Sequence, residues 1–330
     1  MPKTDLKKRL NSHQTFRFGE KERLPLEIEK EDCLLCGQNL WRLECVAKDE
    51  LTEQNRDYFY FRCRNCGFVI LHQKPSQDSF DSIYSDSYPA YLTDQKRSAF
   101  LNYVLSGVNL KRSHRVLQYR QRGRLLDIGC AIGDFLGVMT RKEGWVCLGI
   151  EPSPEIAKEV EVRLGISVIP SSIEEAALKE ASFDVVTAWD VLEHVREPRL
   201  ALNKIHRWLK DDGLFVASMP NISSLEYRLF RGFWFNLDPP RHFWHYTPRT
   251  IRRLLEEEHF QLIRIETSLW SSCEAFLKSW KYLIRRWGFR GRFFLLSRIP
   301  LLVVFFPILG LSHLLNGGSI LFLWARKKVV

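Results

Sequence analysis

The chain has 330 residues, of which 45% are hydrophobic, and its formal net charge is +10. This apolar content can build a sizeable core, so the composition excludes an intrinsically disordered protein. The length fits one large domain with additions, or two to three structural units. The excess of positive charge favours an acidic partner, either nucleic acid or an anionic membrane surface.

Residues 1–30 carry many charges and no sustained hydrophobic period, which predicts a basic, solvated arm. The stretch up to Arg23 has no apolar centre, so we expect no signal peptide there. Two C-x-x-C pairs further along the chain are typical of reduced thiols. We therefore expect a cytoplasmic protein.

The two C-x-x-C-G motifs within residues 31–74 predict a small zinc ribbon. Each motif places two thiolates on a tight turn, and four such sulfurs form a closed tetrahedral site for structural Zn²⁺. The predicted ligands are Cys33, Cys36, Cys63 and Cys66. Residues 41–46 and 58–62 supply the strands of a hairpin between the motifs. The alternative is four unrelated core cysteines, which is how we interpret the other four cysteines of the chain.

Residues 75–122 are predicted to connect the ribbon to the main domain. The first part, 75–94, is rich in Ser, Asp and Tyr, and it can act as a lid over a ligand or as a plain linker. The second part, 96–119, has helical spacing and predicts a helix that leads into the core.

The sequence RLLDIGCAIGDFL, Arg124 to Leu136, predicts a buried strand, a glycine-rich turn and a helix. Gly129 and Gly133 permit positive φ and let backbone N–H groups approach a ligand closely. By itself this pattern fits a plain strand–helix turn as well as several kinds of nucleotide-binding turn.

The next predicted strand, 146–150, ends at Glu151, whose carboxylate can accept two hydrogen bonds from a ribose diol. A third feature, FDVVTAWDVLEHV at 183–195, is an apolar strand that turns into a helix at Asp190. A fourth, at 209–219, is a turn followed by another buried strand. Ligands of parallel sheets bind at the carboxyl ends of the strands, so we expect Gly129 and Glu151 to line one shared cavity.

Repeated strand–helix units predict an α/β fold with a doubly wound, mostly parallel sheet of seven strands over residues 123–330. The predicted strands are 125–128, 146–150, 167–169, 183–188, 214–218, 260–269 and 319–325. The predicted helices between them are 154–163, 173–179, 199–209 and 250–258. A hydrophobic insertion, residues 271–317, separates the last two strands.

These features, in this order, resemble class I S-adenosylmethionine-dependent methyltransferases. The glycine turn reads D-x-G-x-x-x-G and departs from the G-x-G-x-x-G fingerprint of dinucleotide-binding folds. Together with the ribbon, the chain resembles sugar and polysaccharide methyltransferases that carry a zinc ribbon. In that fold the last strand is antiparallel and lies between the fifth and the sixth.

The resemblance implies S-adenosylmethionine as cofactor and assigns residues to it. Glu151 would hold the ribose, Ser172 and Ile173 would flank the adenine, and Asp190 would face both the methionine end and the substrate. The implied cofactor-binding set is Asp127, Gly129, Cys130, Gly133, Glu151, Pro152, Ser172, Ile173 and Asp190. The predicted catalytic set combines Asp190 with His242 and His245, which are proposed from the residues of their own segment.

The two histidines lie in an aromatic segment, residues 221–247, that follows the fifth strand. His242 and His245 have ordinary pKa values near neutrality and could act as general base on an acceptor. This segment would then form the acceptor pocket. The alternative is a structural cap with packed rings and an Asp238–Arg241 ion pair. We interpret His194, by contrast, as a histidine packed against the sheet.

The insertion combines seven basic residues between Lys278 and Arg298 with one acid, Glu274, and a following apolar run at 299–311. Thirteen residues are too few to span a bilayer, and we expect Pro300, Pro307 and Gly310 to break the run. The pattern predicts shallow insertion into one leaflet of an anionic membrane. The alternatives are an internal helical pair and a dimer interface. Because the charge lies beside the apolar run, nucleic acid is the less favoured partner.

The functional hypothesis is methyl transfer from S-adenosylmethionine to a sugar or lipid-linked glycan, at the cytoplasmic inner face of a membrane with which the protein associates peripherally. One alternative is an RNA methyltransferase that binds RNA through its zinc ribbon. Another is a non-catalytic, membrane-bound scaffold that keeps the fold.

Overall fold

A computed structural model describes residues 17–18, 22–23, 31–52, 54–75, 91, 97–289 and 291–328. Strands β1 (Arg17–Phe18) and β2 (Glu22–Arg23) pair antiparallel. The rest of the predicted basic arm lies outside the described residues. So does most of the segment interpreted as a lid or linker, including Tyr84 and Tyr88.

The N-terminal ribbon is a small antiparallel sheet. Strands β3 (Trp41–Asp49) and β4 (Gln54–Cys63) form the predicted hairpin, and β5 (Val69–Leu71) pairs with β4. A fourth strand, β11 (Trp244–His245), comes from the aromatic segment of the main domain and pairs antiparallel with β5. The ribbon and the main domain therefore share a sheet. A two-residue strand is too short to show alternation in a sequence, so this pairing was not predicted.

The main domain is built on a seven-stranded sheet, which confirms the predicted fold class. The strand order is β12-β13-β10-β9-β6-β7-β8, with β13 antiparallel to both of its neighbours and the pairs from β10 to β8 parallel. The last strand thus lies between the fifth and the sixth, as the resemblance implied. The strands are β6 (Gly123–Ile128), β7 (Trp145–Glu151), β8 (Val168–Pro170), β9 (Phe183–Trp189), β10 (Leu209–Pro220), β12 (Phe260–Thr267) and β13 (Ile320–Lys327).

The helices follow the capping signals in the sequence. Ser153 accepts a hydrogen bond from the backbone of Ile156 at the start of one helix, which Gly165 ends in the left-handed conformation. Thr247 caps another in the same way, as predicted. The helices around the sheet are α1 (Ala99–Leu117), α2 (Asp134–Met139), α3 (Pro154–Leu164), α4 (Pro198–Trp208), α5 (Leu225–Phe230) and α6 (Pro248–Glu257).

Two local predictions were wrong. The helix expected at 173–179 is a turn, because the ammonium group of Lys204 donates to the carbonyl oxygens of Glu174 and Ala176. Those carbonyls would otherwise accept intrahelical hydrogen bonds. Residues 191–194 also form turns, and the helix after β9 begins only at Pro198.

Two long helices fill the insertion: α7 (Leu269–Arg286) and α8 (Arg292–Leu314). The expectation that Pro300 and Pro307 break the apolar run was wrong, because both lie inside one continuous helix of 23 residues. A proline within a helix removes one backbone hydrogen bond and bends the helix without ending it. The rings of Phe276 and Phe305, 4.8 Å apart, join the two helices.

A buried ion pair joins the ribbon to the main domain. The guanidinium group of Arg241, only 1% exposed, contacts the carboxylates of Asp49 at 2.7 Å and Asp238 at 2.6 Å. The hydroxyl of Tyr60 in the ribbon also donates to the carbonyl oxygen of Leu237 at 2.8 Å. Ribbon and main-domain side chains belong to one hydrophobic cluster. The ribbon is therefore an integral part of the fold.

This arrangement predicts that Asp49→Ala destabilises the whole protein. Removing one partner of a buried pair costs about 3–5 kcal/mol, and we expect the lower end because Asp238 still pairs with Arg241. Chemical denaturation measures the free energy of unfolding. The matched control is Asp57→Ala, which removes a half-buried pair with Lys48 at 3.6 Å and should cost less than about 1 kcal/mol. Equal losses in both variants would contradict an integral ribbon.

Candidate active site

The glycine turn after β6 needs glycine for steric reasons. Gly129 has φ +64° and Gly133 has φ +75°. A Cβ atom would lie 2.9 Å from the side chain of Val191 at the first position and 2.7 Å from that of Val160 at the second. Both glycines therefore permit a turn that other residues would strain.

Glu151, at the end of β7, is hydrogen-bonded directly to this turn. Its carboxylate accepts from the backbone N–H of Ala131 at 2.9 Å, from that of Ser153 at 3.1 Å and from the hydroxyl of Tyr91 at 3.1 Å. Only 2% of the residue is exposed. Burial raises the pKa of Glu151, although the three donors oppose that shift. The fold thus brings together the glycine turn after β6 and the carboxylate at the end of β7.

The expectation that Gly129 and Glu151 line one shared cavity stays a prediction. Both oxygens of Glu151 are engaged by donors, and one of these is Tyr91 from the segment interpreted as a lid or linker. A cavity of about 220 Å³ lies beside Gly133, between α1 and α2. Tyr91 therefore occupies a position that a ribose hydroxyl would need on Glu151.

The residues expected to flank an adenine lie at the same edge of the sheet. The backbone N–H of Ser171 donates to the carbonyl oxygen of Glu151 at 3.1 Å, which places the chain after β8 beside the end of β7. Ile173 is 4% exposed and offers an apolar surface. The hydroxyl of Ser172 is already an acceptor for the backbone N–H of Glu175 at 3.2 Å.

The two other residues of the implied cofactor set pack close to Glu151. Cys130 is buried, and its backbone N–H donates to the carbonyl oxygen of Ile150 at 3.0 Å. A Cβ atom on Gly149 would lie 2.8 Å from the Cys130 sulfur, so the small residue at 149 makes room for the thiol. Pro152 directly follows Glu151 in the chain.

Asp190 projects from the end of β9 and is held by two groups. It has φ +58°, and 41% of its side chain is exposed. Its carboxylate accepts from the hydroxyl of Ser218 at 2.9 Å and from the guanidinium of Arg112 at 2.6 Å. The sequence analysis did not identify Arg112. Helix α1 contains several basic residues, and its sequence pattern does not show which of them contacts Asp190, 78 residues further along the chain.

The carboxyl group of Asp127 lies inside the sheet. Burial raises its pKa to about 7, although the hydroxyl of Thr187 donates to it at 2.6 Å and opposes the shift. The neutral carboxylic acid is thus favoured below neutral pH.

The aromatic segment after β10 is packed as a cap and contains the Asp238–Arg241 pair. His245 is fully buried, with its ring 5.2 Å from that of Tyr60 and 6.3 Å from that of Trp234. Burial lowers its pKa well below the ordinary value. In this arrangement His245 cannot contact an acceptor, which corrects its predicted role as general base.

His242 lies closer to the sheet edge and is 8% exposed. Its Nδ1 lies 2.8 Å from the carbonyl oxygen of Asn236, and its ring is 4.5 Å from the ring of His194. Burial lowers the pKa of His242, so the neutral imidazole is favoured. His194 is half-buried, and desolvation together with the neighbouring His242 lowers its pKa well below the ordinary value.

The four ribbon cysteines form one compact cluster. Sγ of Cys33 lies 3.5 Å from Sγ of Cys66, and Sγ of Cys36 lies 3.6 Å from Sγ of Cys63. All four sulfurs are within 4.8 Å of one another. Tetrahedral zinc with bonds of about 2.3 Å would separate its sulfurs by about 3.8 Å. The donor set and its spacing therefore fit a zinc ion.

Comparison with known proteins agrees with this geometry. Residues 102–265 match the family model described as a methyltransferase domain. The chain therefore carries a class I S-adenosylmethionine-dependent methyltransferase domain. The matched residues include the glycine turn, Glu151 and Asp190.

Curated relatives match about a third of this chain. An uncharacterised protein of Methanocaldococcus jannaschii is 31% identical over 104 residues, which cover 31% of this chain and 39% of that protein. The ubiquinone biosynthesis O-methyltransferase of Salmonella paratyphi A is 34% identical over 104 residues, covering 30% and 43%. That of Haemophilus ducreyi is 29% identical over 116 residues, covering 32% and 49%. The chain thus spans less than half the length of these relatives.

Solved structures resemble the chain more distantly. A methyltransferase from Archaeoglobus fulgidus is 21% identical with a TM-score of 0.48, covering 70% of this chain and all of that one. A 1,6-didemethyltoxoflavin-N1-methyltransferase from Burkholderia thailandensis is 16% identical with a TM-score of 0.46, covering 81% and 98%. Both likenesses are too distant to bear on the activity.

Replacing Glu151 with alanine should abolish tight binding of S-adenosylmethionine. Each hydrogen bond to a charged group contributes about 1.5–3 kcal/mol, so losing the two ribose bonds should weaken affinity roughly 100-fold or more. Isothermal calorimetry measures the dissociation constant. Glu155→Ala, an exposed change four residues on, is the control and should bind normally. Unchanged affinity in Glu151→Ala would refute the ribose assignment.

Asp127 should make stability depend on pH. Its folded-state pKa of about 7 lies above the ordinary value of 3.8. The folded state therefore binds more protons, and this group's contribution to stability falls as pH rises from about 4 to about 7. Asp127→Asn lacks this titration, so its stability relative to wild type should improve over that range. Denaturation at several pH values tests this, and a constant difference would contradict it.

Proposed function

We propose that this protein transfers the methyl group of S-adenosylmethionine to a hydroxyl of a sugar or lipid-linked glycan at the inner face of a membrane. The methyltransferase domain and its arrangement of glycine turn and Glu151 carboxylate support the transfer. The membrane part of the proposal rests on one observation, the exposed apolar surface of helix α8, which leads into β13 of the seven-stranded sheet.

The cofactor would lie along the carboxyl edge of the sheet. The backbone of the turn at Gly129 and Gly133 would contact its methionine part, and Glu151 would accept hydrogen bonds from the ribose hydroxyls. The bound sulfonium supplies an electrophilic methyl group. The task of the protein is then to align the acceptor oxygen with that methyl group at near-attack distance.

Asp190 is the candidate for handling the acceptor proton. Of the three residues that sequence analysis proposed for catalysis, it is the most exposed, and Arg112 and Ser218 orient its carboxylate. As the oxygen–carbon bond forms and the sulfur–carbon bond breaks, the hydroxyl proton would pass to Asp190. The products would be the methyl ether and S-adenosylhomocysteine.

Helix α8 supports attachment to a membrane. Among the described residues, one helical segment is apolar and long enough to cross a bilayer. It comprises the 21 residues Phe294–Leu314 of α8, and only 6% of its most apolar part is buried. Exposed apolar area of this extent marks an interaction surface. The exposed large side chains of α8 are Leu295, Leu296, Ile299, Val303, Val304, Phe306, Ile308, Leu311 and Leu314.

The connections of α8 favour insertion into one leaflet over a crossing. The helix follows α7 and leads into β13, and α7 itself starts from the neighbouring strand β12, so both ends return to one sheet. Helix α7 buries Ala275 and Phe276 against the protein. Exposed basic side chains, Lys281, Arg286 and Arg298, flank the apolar surface and suit anionic headgroups.

A second acceptor class has support from the relatives. Two of them are named ubiquinone biosynthesis O-methyltransferases. An acceptor of that biosynthesis would also be modified on oxygen, and it would require the same Glu151 and Asp190. Product analysis has to separate it from a glycan.

We also propose that the four ribbon cysteines hold a structural zinc ion. The four sulfurs leave no coordination position for a substrate, so the ion would stabilise the fold. The ribbon contributes β5 to the sheet that also contains β11, and it supplies Asp49 to Arg241. Zinc would thereby support the cap over the site.

Membrane attachment is tested by flotation with vesicles containing anionic lipid. Leu296→Glu combined with Val303→Glu, at positions 77% and 70% exposed, should abolish flotation while S-adenosylmethionine affinity stays normal. Val162→Glu, at an 81% exposed apolar position on α3, is the matched control and should still float. Equal flotation of the double variant and wild type would overturn the membrane proposal.

The acceptor is identified by incubating the protein with methyl-labelled cofactor and a membrane extract. Label in a lipid-linked sugar supports the proposal, and label in a quinone-type lipid supports the second acceptor class. Label in RNA, together with salt-sensitive RNA binding, would favour the RNA methyltransferase alternative. No transfer to any fraction, with intact cofactor binding, would favour a scaffold. Glu151→Ala provides the inactive control.

A further inference from the structure

Glu193, three residues after Asp190, is buried in an unusual way. It is fully inaccessible, and within the part of the chain that the structure describes neither oxygen of its carboxyl group has a hydrogen-bond partner. Burying a carboxyl group without partners is costly, and native proteins normally satisfy such groups with a donor, a water or a metal ion. This orphaned carboxyl group therefore points to a missing ligand.

Two histidines complete the environment of Glu193. One ligand atom each from Glu193, His194 and His242 lies within 4.8 Å of the others. Nδ1 of His194 lies 3.1 Å from the carbonyl oxygen of Arg241, and Nδ1 of His242 lies 2.8 Å from that of Asn236. A carbonyl oxygen only accepts, so Nδ1 carries the proton in each ring and Nε2 carries the lone pair. Backbone carbonyls orient metal-binding histidines in this manner.

We propose that Glu193, His194 and His242 bind a divalent transition-metal ion, zinc by donor type, at a second site distinct from the ribbon cysteines. Two imidazoles and one carboxylate are a favourable donor set for zinc. Unlike a four-thiolate site, three protein ligands leave one tetrahedral position for water or another oxygen.

The site lies between the sheet edge and the cap. The backbone N–H groups of Phe243 and Trp244 donate to the carbonyl oxygen of Glu193 at 2.8 Å and 3.3 Å, so the loop after β9 is already joined to the cap. Asp238 lies 3.9 Å from Nε2 of His242, but its carboxylate is paired with Arg241. An ion here would join Glu193 and His194, which follow β9 and Asp190 in the chain, to His242 of the cap. If the proposed methyl transfer holds, the open position is also near the acceptor.

The test counts metal ions in the purified full-length protein by elemental analysis. Wild type should carry two zinc ions per chain, and Glu193→Gln, which keeps the shape but weakens the ligand, should carry one. Glu226→Gln is the matched control, because Glu226 is also fully buried but is not part of the cluster. This variant should keep two ions.

Cobalt substitution distinguishes the two sites in the wild-type protein, so the result does not depend on whether a variant folds. Titration of the metal-free wild type should give one ion with thiolate-to-cobalt charge-transfer absorption and a second ion with ligand-field bands only. Wild type in which every bound ion shows thiolate absorption, with no ion that has ligand-field bands only, would overturn the proposal. Loss of an ion from Glu226→Gln as well as from Glu193→Gln would also overturn it. Methyl transfer is not needed for either readout, so the proposed function can fail independently.

Discussion

The hydrogen bond from the backbone N–H of Ala131 to the buried carboxylate of Glu151 connects the two parts of the proposed cofactor site, the glycine turn and the end of β7. It requires the glycine turn to adopt positive φ and requires β6 and β7 to be neighbours in register. Every functional assignment at the sheet edge depends on this contact. With Tyr91 also bonded to Glu151, the described residues represent a covered form of the site.

The ribbon and the cap form the second part of the structure, and they are one unit physically. Strand β11 completes the ribbon sheet, and Arg241 neutralises carboxylates from both sides of the junction. A guanidinium group that is buried to this extent needs such partners, because an unpaired charge would be too costly. The histidines that looked like acceptor-site bases in the sequence belong to this junction. Of the two, His242 lies close enough to Glu193 to form the cluster behind Asp190.

The helical insertion serves a different physical need from the rest of the chain. Apolar side chains of the sheet strands pack into clusters, whereas most large apolar side chains of α8 are exposed, apart from those such as Leu309 and Phe305 that contact the core. A surface of this kind is stable next to lipid but unfavourable in water. The insertion lies between β12 and β13 in the chain, so it is connected to one edge of the seven-stranded sheet of the main domain. In the proposed function, this surface would place the methyltransferase domain at the bilayer, next to a membrane-resident acceptor.

Local patterns in the sequence determined the strands, their order of appearance, the glycine turn, the carboxylate at Glu151 and the paired cysteine motifs. These features depend on short-range periodicity and on residue types with special backbone or ligand chemistry. Only the tertiary structure decided which distant residues meet. The contacts of Arg112 with Asp190, Tyr91 with Glu151 and Arg241 with Asp49 join residues with no common local pattern. The burial of His245 and the exposure of α8 were decided in the same way, because packing of the whole chain sets which side chains lose contact with water.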